Sequence, residues 1–381
     1  MMRCRPVLLA VAVLLAAGAR EARAQDSFFG IRGLGFPGRP ISARSAGMGG
    51  GAAMFDGSSA LSPASLAAWH GLVAWAVGAQ SGHSYDAGTG QVSGASMRFP
   101  TFGFAAPIGG RLVVGINVSD FLSRNWSVQQ TDTVMPRDSA IPVTDRTESI
   151  GGVSDIRFAA AYRISSRIAV GVGVHVLSGS VQTAVVRDFG VDSAYRTFAA
   201  VTETSYRGAA VSFGLFLNPL QRVVIGASAR FNGRLWESNP VSDLRVHLPT
   251  ELSGGLYVAP WDGVSIATTV THDNWSVAAP DLVAAGQAPS RDVWSVGVGA
   301  EVALVKMFGE VTPLRLGYRV RQLPFPVGTD ALSEHAASGG ISFTLAGGRA
   351  NLDLGLESGS RAAGPLTESF TTLLVGVSIF P

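Results

Sequence analysis

Residues 167–177 read RIAVGVGVHVL, Arg167–Leu177. Every second position is a branched aliphatic, Ile168, Val170, Val172, Val174 and Val176, and the positions between are Ala169, Gly171, Gly173 and His175. A period of two marks a strand, because successive side chains of extended backbone point to opposite faces, whereas a helix would smear the two sets around its axis. One face is greasy and the other small or polar, so the segment separates an apolar medium from one that tolerates an imidazole.

The same register recurs along the chain. In Leu314–Arg321 (LRLGYRVR), Leu314, Leu316, Tyr318 and Val320 oppose Arg315, Gly317, Arg319 and Arg321. Phe158 and Tyr162 oppose Arg157 and Arg163; Val296, Val298, Val302 and Leu304 oppose Gly297, Gly299 and Glu301; Leu352, Leu354 and Leu356 oppose Asp353, Gly355 and Glu357. Charges confined to one side of repeated strands, opposite unbroken aliphatic rows, predict a polar lumen inside a lipid-facing band. Segments of this kind start near Leu72, Gln91, Arg111, Thr147, Arg167, Thr202, Arg222, Leu252, Val264, Val293, Leu314, Ile341, Asn351 and Phe370. The expected fold is all-β, a transmembrane antiparallel β-barrel of about 14 strands. Long polar connections such as Gln129–Ser149 and Trp275–Asp292 alternate with tight ones such as Asn218–Gln221 and Gly347–Arg349, which predicts extracellular loops and periplasmic turns. Trp75, Trp126, Trp236, Trp261, Trp275 and Trp294 lie toward segment ends, where interfacial girdles or ordinary core aromatics both fit.

Composition agrees. The chain has 47 Gly and only 15% charged residues, against about 25% in an ordinary soluble domain. Beyond the first residues no apolar run reaches the roughly 18 needed for a membrane helix, and only helices and closed barrels satisfy their backbone in hydrocarbon. Arg3 and Arg5, the apolar stretch Pro6–Gly18 and Ala22-Arg23-Ala24 read as a signal peptide over residues 1–24, with the mature chain expected from Gln25 and an outer-membrane destination. Its removal takes four Arg and one Glu, so 29 − 4 basic and 27 − 1 acidic residues leave a net charge of −1, and no nucleic-acid partner is expected. Cys4, the only cysteine, would leave with the leader, which excludes a disulfide scaffold or a thiolate metal site.

Between leader and strands stands ARSAGMGGGAAMFDGSSALSPASL, Ala43–Leu66. Its Gly/Ala/Ser composition suits a flexible linker. Yet Met48, Met54, Phe55, Leu61 and Leu66 give it something to bury, and Asp56-Gly57 a way to fold back. It has the right size for a plug in a lumen too wide for wall side chains to fill. The expected organisation is therefore a signal peptide over 1–24, an N-terminal extension and hatch over 25–71, and a barrel over 72–381.

Ala43-Arg44, Gly47-Met48-Gly49-Gly50, Asp56, Ala60-Leu61 and Ser62-Pro63-Ala64 together resemble the N-terminal hatch of the FadL/TodX family of outer-membrane transporters for long-chain fatty acids and other hydrophobic compounds. Later matches follow in the family's order: Leu248-Pro249 before Gly254 and Gly255, His272-Asp273-Asn274-Trp275-Ser276, Leu314–Tyr318, Ser338-Gly339-Gly340 and Leu352–Gly355. The likeness covers the hatch and about the last third of the chain, and residues 85–245 match only as generic strands. It implies a passive, monomeric conduit in outer-membrane lipid for a fatty-acid-like hydrophobic ligand. The gate it implies comprises Gly47, Met48, Gly49, Gly50, Asp56, Ser62, Pro63 and Ala64. Ser62 departs from the family's usual Asn. Ligand would enter an apolar pocket from the external loops, displace the hatch and leave where a strand is interrupted. A different class, a secretion-associated scaffold barrel like PorV, shares the hatch motif, and a continuous wall without an apolar lumen pocket would favour it. A general porin would need an open aqueous channel.

No enzyme, cofactor or metal site is expected. Gly33–Gly38 spells G-x-G-x-x-G without the flanking strand and helix that the dinucleotide fingerprint needs. His70, His83, His175, His247, His272 and His335 are scattered, and Asp132, Asp138 and Asp145 are too far apart for a calcium loop. Arg157, Arg163, Arg230, Arg315, Arg319 and Arg321 are the candidate lumen residues. They suit carboxylate binding, but pairing with Asp353, Glu357, Glu301 and hatch backbone is the favoured reading.

Overall fold

A computed structural model describes residues 27–86, 91–135, 140–190, 195–240, 243–307 and 310–381, so the predicted leader lies outside the described residues. Fourteen antiparallel strands close into one cylinder. In chain order they are β1 (Val73–Asp86), β2 (Gln91–Ile108), β3 (Leu112–Ser123), β4 (Ile141–Arg163), β5 (Ile168–Asp188), β6 (Phe198–Leu220) and β7 (Val223–Asn232). They continue with β8 (Thr250–Trp261), β9 (Val264–Asp273), β10 (Val293–Val302), β11 (Leu314–Val327), β12 (Asp330–Leu345), β13 (Ala350–Ala363) and β14 (Leu366–Ile379). β14 pairs with β1 from Ala74↔Ile379 to Asp86↔Thr367, which closes the cylinder.

The alternation sets which side each residue faces. On β11, Leu316 is 73% exposed and Tyr318 47%, while the next residue, Arg319, is 3% exposed. On β5, Val172, Val174 and Val176 are exposed and His175 and Leu177 buried. An outward Arg at mid-membrane depth costs about 2–4 kcal/mol, so a shift of one residue in β11 would place three arginines in hydrocarbon. At the end of β14, Val377 and Ile379 face out and Phe380 packs inward on Trp69, with ring centroids 5.9 Å apart.

Two expectations are corrected. Gln129–Ser149 is not an irregular loop: Trp126–Val134 pairs with the first half of β4, and β4, β5 and β6 run on past the membrane band as a projecting sheet. Thus β4 starts at Ile141, and β12 at Asp330 instead of near Ile341. Beyond the membrane both faces of a strand are wet, so the greasy alternation that marked the start sites fades. Trp236, Trp261 and Trp294 do face outward, whereas Trp75 and Trp275 are buried core aromatics.

Residues 27–71 lie inside the cylinder. Ser27 Oγ donates to Glu368 Oε2 at 2.6 Å, near the long-loop end. From there a strap, Leu34–Ile41, descends past Phe36–Pro37, which pairs with Leu122–Ser123 of β3. The short helix Ala43–Gly47 follows, capped by Ser42, whose Oγ accepts from Ser45 N at 3.0 Å. A 3-10 turn, Pro63–Ala68, opens on proline, whose missing N–H is no loss at a first turn.

Candidate functional site

The hatch touches the wall main chain to main chain. Inward glycines stand where it passes: Gly171 on β5, Gly214 on β6, Gly297 and Gly299 on β10, and Gly317 on β11. A Cβ on any of these would lie 2.1–2.5 Å from hatch atoms of Met48–Gly50 or Ser62–Ala64. Gly49 meets them with φ +62°, a left-handed conformation natural to glycine. Gly49 N donates to Ser338 Oγ at 2.8 Å and Thr269 Oγ1 to Gly51 O at 2.8 Å. Asp56 holds the hatch's own fold, accepting from Ser42 Oγ, from Ser45 Oγ at 3.2 Å and from Ser58 N at 2.9 Å. Arg44 bridges to Glu301 at 2.8 Å. Burial pulls the Arg44 guanidinium down, but Glu301 and Asp56 outweigh it and hold it above its ordinary value. Ser62 is buried and its hydroxyl has no hydrogen-bond partner among the described residues.

The six candidate arginines all point inward, but they divide among four groups. Arg157 donates to Ala60 O at 2.9 Å and Arg163 to Ala67 O at 2.8 Å, both on hatch backbone. Arg315 joins Glu301 and Asp353 at 2.5 and 2.9 Å. Arg319 bridges Glu334 and Glu357, each within 2.9 Å, and Glu334 also takes Arg321 and Arg361. Arg39 of the strap reaches Glu357, and Phe36 lies between the Arg321 and Arg361 guanidiniums at 5.2 and 4.6 Å. Four cations thus face Glu334, Glu357 and Glu368, and the strap supplies one of them.

Arg230 belongs to a fourth group that no local pattern in the chain announces. His175 Nδ1 lies 2.9 Å from Asp155 Oδ2, His175 Nε2 lies 2.8 Å from Ser212 Oγ, and Arg230 donates to Asp155 Oδ2 at 2.8 Å. The order hydroxyl, imidazole, carboxylate is that of an acyl-transfer relay. Here the three come from adjacent wall strands β4, β5 and β6, whose amides are spent on the ladder. Such a strand offers no pair of free N–H groups for an oxyanion. Hatch carbonyls of Ala60 and Leu61 take the neighbouring Arg157 and Ser228.

The wall is interrupted once among the described residues. β2 pairs with β1 along its length, with a bulge opposite Gly78 at Phe99–Pro100, but it pairs with β3 only from Thr101↔Ser119 to Ile108↔Leu112. Pro100 has no N–H to give, as expected at an edge. Above it β3 takes the strap instead, with Phe36↔Ser123, Pro37↔Leu122 and Gly38 N donating to Phe121 O at 2.9 Å. Outside the seam Met97, Phe99 and Phe102 are exposed on the outer face, Phe99 62%. Inside, an apolar cluster runs from Leu122 and Leu34 through Leu177, Tyr206 and Leu248 to Trp275, Leu282 and Phe325. Its upper end is roofed by the helix Ala279–Ala284.

The profile of a family described as BamG matches residues 1–224. No curated protein matches. Among solved structures, a Pseudomonas aeruginosa FadL homologue is 14% identical with a TM-score of 0.60, aligned over 90% of this chain and 98% of that one. The Pseudomonas putida toluene transporter TodX is 14% identical at 0.58, over 90% and 98%. The CymD monoaromatic hydrocarbon channel is 15% identical at 0.57, over 92% and 99%. At these identities the likeness establishes a shared fold.

Proposed function

From the premise that this chain belongs to the BamG family, we propose that it sits in the bacterial outer membrane, its leader cleaved, as a monomeric passive conduit for small hydrophobic, fatty-acid-like or aromatic molecules. The hatch, with Gly47–Gly50, Asp56 and Ser62–Ala64, is the floor that closes the periplasmic end, and the strap that precedes it is the movable door. The observation that carries the reading is the break in the wall beside Pro100, where β3 leaves β2 and pairs with Phe36–Pro37 of the strap instead, backed by the packed apolar cluster that includes Leu34 and Leu122. For an apolar solute to pass there, the strap must give up the Phe36–Pro37 pairing, the Gly38 bond to Phe121 and the contacts of Phe36 and Arg39 with the buried ions. The ligand class is carried over from similar structures named as a toluene transporter and a monoaromatic hydrocarbon channel.

The mature chain would contain no cysteine, so a disulfide between Pro37→Cys and Leu122→Cys, which face each other across the strap, tests the door cleanly. Oxidised protein should lose toluene uptake and reduction should restore it. Undiminished uptake with the strap locked overturns the reading.

A second reading, a scaffold that binds a protein partner, draws on the projecting sheet, where Phe198, Val201 and Val185 are exposed beyond the membrane band. It predicts uptake no better than an empty bilayer, with Phe198→Ser and Val201→Ser releasing a co-purifying protein.

A further inference from the structure

Beneath the hatch, on the side opposite the strap, lies a cavity of about 550 Å³, within the usual range of small-molecule sites. Ser165 and Ser166 of the β4–β5 turn and Asn218 near the β6–β7 turn stand at its mouth, so it opens at the short-turn, periplasmic end. Its floor is an aromatic cup: Phe55 of the hatch packs against Phe216 and Tyr257 of the wall with centroids 5.5 and 5.9 Å apart, extended by Val224 and Ala169.

The charges around the cup do not cancel. Asp56 borders it, but three hatch donors hold that carboxylate and Arg44 stands by it. Arg163 also borders it, donating to the main-chain carbonyls of Ala67, Trp69 and Gly110 and to no carboxylate among the described residues. Carbonyl dipoles position a guanidinium without neutralising it, and three bonds leave two of its five N–H groups. The exposed His70 adds a second basic group on that rim.

We propose that this cavity is a periplasm-facing binding site for a small amphiphile with an aromatic or alkyl body and a single anionic group of carboxylate type. The body occupies the Phe55, Phe216 and Tyr257 cup and the anion meets Arg163. The assignment goes beyond the conduit reading and stands on the cavity alone.

Calorimetric titration of the full chain in lipid nanodiscs with 2-naphthoate and its neutral counterpart 2-naphthamide tests it. Naphthoate should bind at least tenfold more tightly than the amide. Ala169→Trp, which fills the cup and leaves every charge in place, should weaken naphthoate at least tenfold, and Arg163→Gln should erase the preference for the acid. Because Arg163 also steadies hatch backbone, the Ala169→Trp result is decisive on its own. Equal binding of acid and amide, or unchanged binding in Ala169→Trp, overturns the proposal. The disulfide that locks the strap, made by Pro37→Cys with Leu122→Cys, separates the two readings: it should leave naphthoate binding intact even as uptake stops, and loss of binding there would place the probe at the seam instead.

Discussion

A Cβ built on Gly317 would stand 2.1 Å from the carbonyl carbon of Met48. The obstacle is backbone held in a ladder on one side and in the hatch on the other, so neither can yield as a side chain would. Gly317→Val should therefore destabilise the seated hatch by about 1–3 kcal/mol or more, the range for overpacking. It should expose the hatch to protease added on the periplasmic side. Gly254→Ala, where a Cβ meets nothing within 4 Å, is the matched control and should behave as wild type.

Glu334 is fully buried and takes three arginines, Arg319, Arg321 and Arg361. Glu334→Gln keeps the shape and removes the charge, leaving buried cations in excess. Breaking a buried pair in this way costs about 3–5 kcal/mol, read as a lowered urea midpoint of the folded barrel. Equal stability would mean that water already screens the group.

Phe36 joins the strap to the same ions through its ring. Phe36→Ala removes two cation–π contacts of about 0.5–2 kcal/mol each and the apolar surface behind Pro100. Uptake of toluene should rise several-fold over the wild type, the opposite direction from the locked disulfide.

The roof helix Ala279–Ala284 is tied down by Asp281, whose carboxylate accepts from the His247 amide and ring at 2.8 Å each. Slight burial pushes its pKa up, but the His247 bonds win and hold it below the ordinary value. A carboxylate with a lowered folded pKa contributes stability above its unfolded value of about 3.9 and loses it as pH falls through the lowered one. The protection of amides 279–284, taken relative to the intrinsic exchange rate at each pH, should fall as the pH drops below about 4. Asp281→Asn should show low protection at every pH, and wild-type protection that does not change with pH would refute the tie.

Fourteen staves and their inward and outward faces were legible because lipid imposes one rule on every strand. Leu316 and Arg319 could be assigned without knowing their neighbours. What the residues meet inside the lumen was legible only in part: Asp353, Glu357, Glu301 and hatch backbone could be named as partners of the arginines, but Arg39 and Glu357 are 318 positions apart, and His175, Asp155 and Ser212 lie on three different strands. No local period records such pairings. Trp75 and Trp275 misled for a related reason, since a strand end can face an interface or the lumen and an indole suits both. The Gly-x-Gly pattern in strands such as Gly297–Gly299 was the one local sign of the hatch's seat, and its meaning emerged only with Met48 against it.

The hatch leans on strands from β3 and β4 onward, and on the last of them too, where a Cβ at Gly376 of β14 would meet Ala43 at 2.9 Å. The stopper is thus clasped by the strand that closes the cylinder, so the closing seam and the plug share contacts.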